Sequence, residues 1–122
     1  MHEFSIATSI VESVSQFAAT QIGQVLSVRL GIGELAHIES SQLIFCYESI
    51  TKGTELEGST LEIEQVEATV QCTHCSYRGR PKYWDGALAF AAVATMQCPQ
   101  CGQSVEATDG DECAIKSVKF IR

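Results

Sequence analysis

Between residues 4 and 20 the apolar positions Ala7, Ile10, Val11, Val14, Phe17 and Ala18 recur at three- and four-residue intervals, with Glu12, Ser13, Ser15 and Gln16 between them. That spacing predicts an amphipathic helix with one buried stripe. Gly23 breaks the pattern, and Leu26, Val28, Leu30 and Ile32 then alternate with Ser27, Arg29 and Gly31, which predicts a strand over 24–33 with one covered face. A second helix follows, with Ser40 as its cap, Leu43, Cys46, Tyr47 and Ile50 on one face, Lys52 in the last turn and Gly53 just past it. Residues 60–66 (TLEIEQV) alternate again, with Leu61 and Ile63 inward and Glu62 and Glu64 outward. Strand, helix, strand in that order predicts a βαβ unit with parallel strands and a right-handed crossover. The closing AIKSVKFIR puts Ile115, Val118, Phe120 and Ile121 in a third strand whose alternation slips once, at a bulge.

The stretch 68–110 reads differently. It holds four of the six cysteines, both prolines and the only tryptophan, and no helical stripe long enough to make a core. The expected fold class is therefore α/β (α+β), two helices on a three-stranded mixed sheet, with an inserted zinc-ribbon-like module. The expected domains are 1–67 plus 111–122 and the module 68–110. A chain of 122 residues has room for this and for no second large core. With 45% apolar and 19% charged residues, disorder and coiled coil are poor readings. The formal net charge of −7 repels a phosphate backbone, so nucleic acid is not expected as a partner. No apolar run approaches the ~20 residues needed to span a bilayer, and MHEFSIATSIVES has neither the basic start nor the apolar stretch of a signal peptide. Without membrane insertion or export, a cytoplasmic protein is expected, where cysteines serve as thiols or metal ligands.

Cys72-Thr-His-Cys75 and Cys98-Pro-Gln-Cys101-Gly102 form C-x2-C-x22-C-x2-C, two knuckles that can each aim two sulfurs at one point. Four thiolates satisfy tetrahedral zinc(II) and leave no open position for catalysis, so the site reads as structural. A redox pair needs a thioredoxin-like context and two disulfides need an oxidising compartment, neither of which this chain shows. The module is too small to fold on burial alone, so zinc would supply its folding free energy. His74, inside the first knuckle, points elsewhere and is at most an alternative ligand. Cys46 and Cys113 read as buried structural thiols, and Tyr83 and Trp84 as residues packed on the module.

Only His2, His37 and His74 supply imidazoles. A bulky second residue blocks removal of the initiator methionine, which leaves Met1-His2-Glu3 with a free amine. Amine, backbone amides and imidazole within one tripeptide form small chelate rings, a nitrogen set suited to square-planar Ni(II) or Cu(II).

The opening MHEFSIATSIVES, the segment VRLGIGELAHIESSQLIFCYESITKGTELEGSTLEIE, the two knuckles and the closing DGDECAIKSVKF together resemble the HypA/HybF family of hydrogenase maturation nickel metallochaperones. The resemblance runs in order over essentially the whole chain and includes Phe45 and Glu48 on the helix before Gly53. It implies a nickel-binding α/β domain, and a zinc domain inserted before the last strand. It implies nickel(II) bound through His2 and nearby backbone nitrogens, with Glu3 needed for the site or for docking. It also implies delivery to the [NiFe]-hydrogenase large subunit with help from the GTPase HypB, some members serving urease as well. Some members complete the nickel site with a histidine between the knuckles; residues 76–97 contain none here, which leaves the Met1 amine as first choice for the fourth ligand and His37 as second.

Two other classes compete. A zinc-ribbon module for nucleic acid or a transcription complex is disfavoured by the charge and by the lack of a basic, aromatic stripe. An enzyme is disfavoured because there is no Ser/His/Asp set, Walker loop or dinucleotide turn, so no catalytic residues are assigned.

Overall fold

The computed structural model describes residues 3–84 and 93–121. Helix α1 spans Glu3–Ala18 and buries Ile6, Ala7, Ile10, Val11 and Val14. The stripe stops short of the sequence expectation. Phe17 is 48% exposed, its ring tilted against Phe120 at 5.9 Å, and Ala18 is half-buried. The turn through Gly23, at φ +106, leads into strand β1, Gln24–Gly33.

Leu26 does not take the inward place expected of it. Strand β6, Cys113–Ile121, pairs antiparallel with β1, and Val25 sits opposite Phe120 while Ser27 sits opposite Lys119. Leu26 is thus the extra residue of a bulge, 41% exposed, and Val25 is buried instead. Beyond the bulge Val28, Leu30 and Ile32 are buried in the expected alternation. The slip expected in the last strand is also present: Arg29 pairs with Ser117 and Leu30 with Ile115, leaving Lys116 unmatched. At the ends of β6, Ile115 and Ile121 are exposed because the strand is an edge.

Helix α2, Ser40–Thr51, is capped by Glu39 instead of Ser40. Glu39 has extended backbone angles and its carboxylate accepts from the Ser41 amide at 3.2 Å, so it satisfies the donor that a cap must satisfy. Leu43, Tyr47 and Thr51 form the buried stripe of α2, while Cys46 and Ile50 are half-buried at its margins. Lys52 is the C-cap. Strand β2, Thr60–Val66, buries Leu61, half-buries Ile63 and exposes Glu62 and Glu64. The mixed sheet has the order β2-β1-β6.

Residue contacts divide the chain into two compact units, one of 1–32, 37–64 and 113–122, the other of 33–36 and 65–112. Two helices and the mixed sheet make the first. The second is built on strand β3, Thr69–Cys72, antiparallel to both β4, Arg78–Gly79, and β5, Val105–Asp109. Its core is Val70, Cys72, Cys98 and Val105, with Cys75, Tyr77 and Met96 against it. Among the described residues so few buried apolar side chains would be a weak driving force for folding alone. Backbone approach within this unit is close: a Cβ on Gly33 would stand 2.2 Å from the Gly110 carbonyl oxygen, and one on Gly110, at φ +82, would stand 2.5 Å from Ala68 Cα. Beside it Glu34 forms a two-pronged ion pair with Arg80, with Nη2 to Oε2 at 2.8 Å. The same pair holds both backbone groups of Ala68, whose amide donates to Glu34 at 2.9 Å and whose carbonyl accepts from Arg80 at 3.0 Å.

Tyr83 bridges antiparallel to Ala94, and the Trp84 amide donates to the Val93 carbonyl at 2.8 Å. Trp84 is 57% exposed, so it is not packed on the module as expected, whereas Tyr83 is half-buried.

Candidate metal centre

Each knuckle is a turn that points its own backbone amides at its first sulfur. The amides of His74 and Cys75 lie 3.3 Å from Cys72 Sγ, and the Gln100 amide lies 3.4 Å from Cys98 Sγ. Each turn is pinned from outside, through Cys72 N to the Tyr77 carbonyl at 3.0 Å and Cys98 N to the Gln103 carbonyl at 2.7 Å. The second knuckle closes at Gly102, at φ +79, a conformation that a side chain would strain.

The knuckles bring four sulfurs together. Cys72 and Cys101 are 3.5 Å apart, Cys75 and Cys98 are 3.6 Å apart, and all four lie within 4.8 Å of one another. Sulfurs at the corners of a tetrahedron ~2.3 Å from a central ion stand about 3.8 Å apart, so the group has the dimensions of a four-thiolate site. All six cysteines are free. Cys72 and Cys98 are buried, Cys75 is half-buried and Cys101 is exposed.

The thiols differ in acidity. Burial pushes Cys98 up, but the amides of Cys101 and Gln100 and the neighbouring thiols outweigh it and bring the thiol down to about 7. Cys72 is lowered in the same way by the amides of His74 and Cys75. The Tyr77 amide pulls Cys75 down, yet burial and the other three sulfurs push it up to about 12. Cys101 is likewise raised, by burial and by Cys72 and Cys98, against the Gln103 amide. Four sulfurs this close cannot all carry charge unaided; a divalent cation among them removes that obstacle.

The other residues singled out from sequence lie elsewhere. His74 is exposed on the first knuckle and is not part of the four-sulfur group. His37 is exposed, at φ +55, in the connection between β1 and α2. Cys46 and Cys113 are half-buried, and burial raises the Cys113 thiol. Met1 and His2 lie outside the described residues. Glu3 opens α1, and its Oε2 accepts from the Glu39 amide at 3.2 Å, which ties the start of one helix to the cap of the other. Glu39 was not singled out from sequence. The signal was an acid directly before two serines at the head of an apolar stripe, where it competes with Ser40 for the cap.

Two helices on a mixed three-stranded sheet, together with a module built around four thiols, define a small α+β metal-binding protein. The family model described as hydrogenase/urease nickel incorporation, metallochaperone, hypA matches residues 1–120. The hydrogenase maturation factor HypA of Methanopyrus kandleri is 37% identical over 134 residues, covering 98% of this chain and 93% of that protein. The same-named protein of Rhizobium leguminosarum bv. viciae is 36% identical, covering 99% of this chain and all of its own. The solution structure of the Ni metallochaperone HypA from Helicobacter pylori superposes with a TM-score of 0.69 at 22% identity, covering 99% of this chain and 98% of that one, and so shares the fold. The chain belongs to the HypA family, nickel metallochaperones of hydrogenase maturation and not enzymes. Among the described residues no helix is long and apolar enough to cross a membrane.

Proposed function

We propose that this protein takes up Ni(II) at Met1-His2-Glu3 and delivers it to the [NiFe]-hydrogenase large subunit, with the GTPase HypB as partner, in the cytoplasm. The observation that carries the reading is the family match, which begins at residue 1 and includes the Met-His-Glu start. Nickel is cargo here. The imidazole of His2, the backbone nitrogens of His2 and Glu3 and the Met1 amine make a planar nitrogen set, with His37 as the second choice for its last position. Glu3 serves this site through its backbone or through docking, and its carboxylate meanwhile fixes where α1 begins by bonding the α2 cap.

In this reading the segments 1–67 and 111–122 form the nickel domain and 68–110 the zinc domain. Cys72, Cys75, Cys98 and Cys101 hold zinc(II) permanently, which neutralises half of the thiolate charge and makes the fold of the small unit depend on metal. A carrier must also let go. A few ligands at a chain terminus, each lost on protonation, release an ion more readily than a closed cage does.

Nickel coordination tests the ligand set. Protein with its native amino terminus is expected to give a diamagnetic, square-planar nickel spectrum, and one residue added before Met1 is expected to abolish it, because the chelate rings no longer close on the same ion. An octahedral, paramagnetic spectrum that survives the extension would replace the nitrogen set by a looser site of His2 and oxygen ligands.

A further inference from the structure

The two helices of the first unit run side by side in the same direction. Glu3, at the start of α1, bonds the cap of α2, while Ser15, in the last turn of α1, and Glu55, just past the end of α2, line one cavity. Parallel helices place both partial negative charges at one end of the unit. At this end α1 has no basic residue in its last turn, Lys52 caps α2, and Glu55 and Glu57 follow it.

A cavity of about 480 Å³ opens at this end. Ser15 and Ala18 of α1, Ala19 just after it, Gln24 and Val25 of β1, and Glu55 line it, and among the described residues no Lys or Arg does. Bonds from its own amide and from Ser15 hold the Glu55 carboxyl below the usual carboxylate range, so the single ionisable wall of the cavity is an anion at neutral pH. On the turn that forms its lip, Ile22 is 77% exposed.

We propose that this cavity receives an arginine side chain of a protein partner, with Ile22 packing on an apolar residue next to that arginine. A guanidinium sheds water more readily than an ammonium and can fork onto the two oxygens of the Glu55 carboxylate. Its aliphatic stem would lie along Ala18, Ala19 and Val25. A free cation would gain nothing from Ile22, which is why the occupant is a segment of protein. The site lies at the opposite end of α1 from the amino terminus and does not depend on where nickel binds.

The test is amide chemical-shift titration of the 15N-labelled, zinc-loaded full chain with the peptide acetyl-Leu-Arg-Leu-amide. Saturable shifts are expected at Ala18, Ala19, Gln24 and Glu55 and not in β3 to β5, with no saturable response to the same peptide carrying citrulline in place of arginine. Glu55→Gln should weaken binding about fivefold, the scale of one exposed ion pair. Ile22→Ser should weaken the leucine peptide but not acetyl-Gly-Arg-Gly-amide. Shifts that spread over Glu62, Glu64 and Glu106, or that are unchanged in Glu55→Gln, would overturn the pocket. Equal binding of the leucine peptide by the native chain and Ile22→Ser would overturn the protein partner.

Discussion

Tyr47 and Ser59 show how a buried polar pair is satisfied inside the first unit. Ser59 Oγ spends its proton on the Leu56 carbonyl at 2.6 Å, so the Tyr47 hydroxyl must be the donor in the 2.6 Å contact with Ser59. Burial also raises the phenol above its ordinary range, which keeps it protonated. Tyr47→Phe removes a donor and leaves Ser59 Oγ with one bond fewer, so chemical denaturation should show a loss of about 1 kcal/mol. Glu34 and Arg80 carry a different kind of interaction, with Arg80 about half exposed. Glu34→Gln should cost no more than about 1 kcal/mol, because solvent screens the pair. Glu34→Ala also strips the acceptor from the Ala68 amide and should cost about 2 kcal/mol in all. The Arg80 hydrogen bond holds the Glu34 carboxyl below its ordinary value of 4.5. That contribution is complete above this value and is lost as pH falls through the lower folded one, so urea midpoints of the native chain and Glu34→Gln should converge in acid. Neither Glu34 nor Glu39 was legible as a tie from sequence, because their partners stand 46 and 36 residues away. The knuckle cysteines were legible because ligand spacing within a turn is a local property.

Helices and strands were read nearly to their ends, because a buried face on one side of each writes its period into the chain. Leu26 was misread because strict alternation continues through a bulge in sequence while the backbone inserts a residue. Phe17 was misread because the sheet edge offers it one ring, Phe120, and no enclosing core. The ladder of the second unit was not visible at all: β4 has two residues and β3 four, too short to show a period. What holds those strands is close backbone approach and the four thiols. Gly110→Ala combines a positive φ with a 2.5 Å clash against backbone and should cost at least about 2 kcal/mol. Cys72→Ala or Cys98→Ala should lose zinc and unfold 68–110, whereas Cys46→Ala and Cys113→Ala should keep one zinc per chain, read by metal analysis and amide exchange. Retained zinc in either knuckle variant, or zinc lost in either of the others, would break the ligand assignment.

Under the proposed function two metals with different tasks share this 122-residue chain, zinc to be kept and nickel to be passed on. Their proposed ligands do not overlap, so the two should be separable by pH as well as by mutation. A histidine ligand must be neutral, and nickel affinity should fall as pH drops through about 6.5. Zinc content should persist over that range, since among the described residues no imidazole belongs to the four-sulfur group. The most direct measurement is equilibrium nickel binding by His2→Ala, with zinc counted in the same sample. Loss of the one-to-one nickel site with one zinc per chain retained is the expected result. One-to-one nickel binding at unchanged affinity would contradict uptake at the amino terminus.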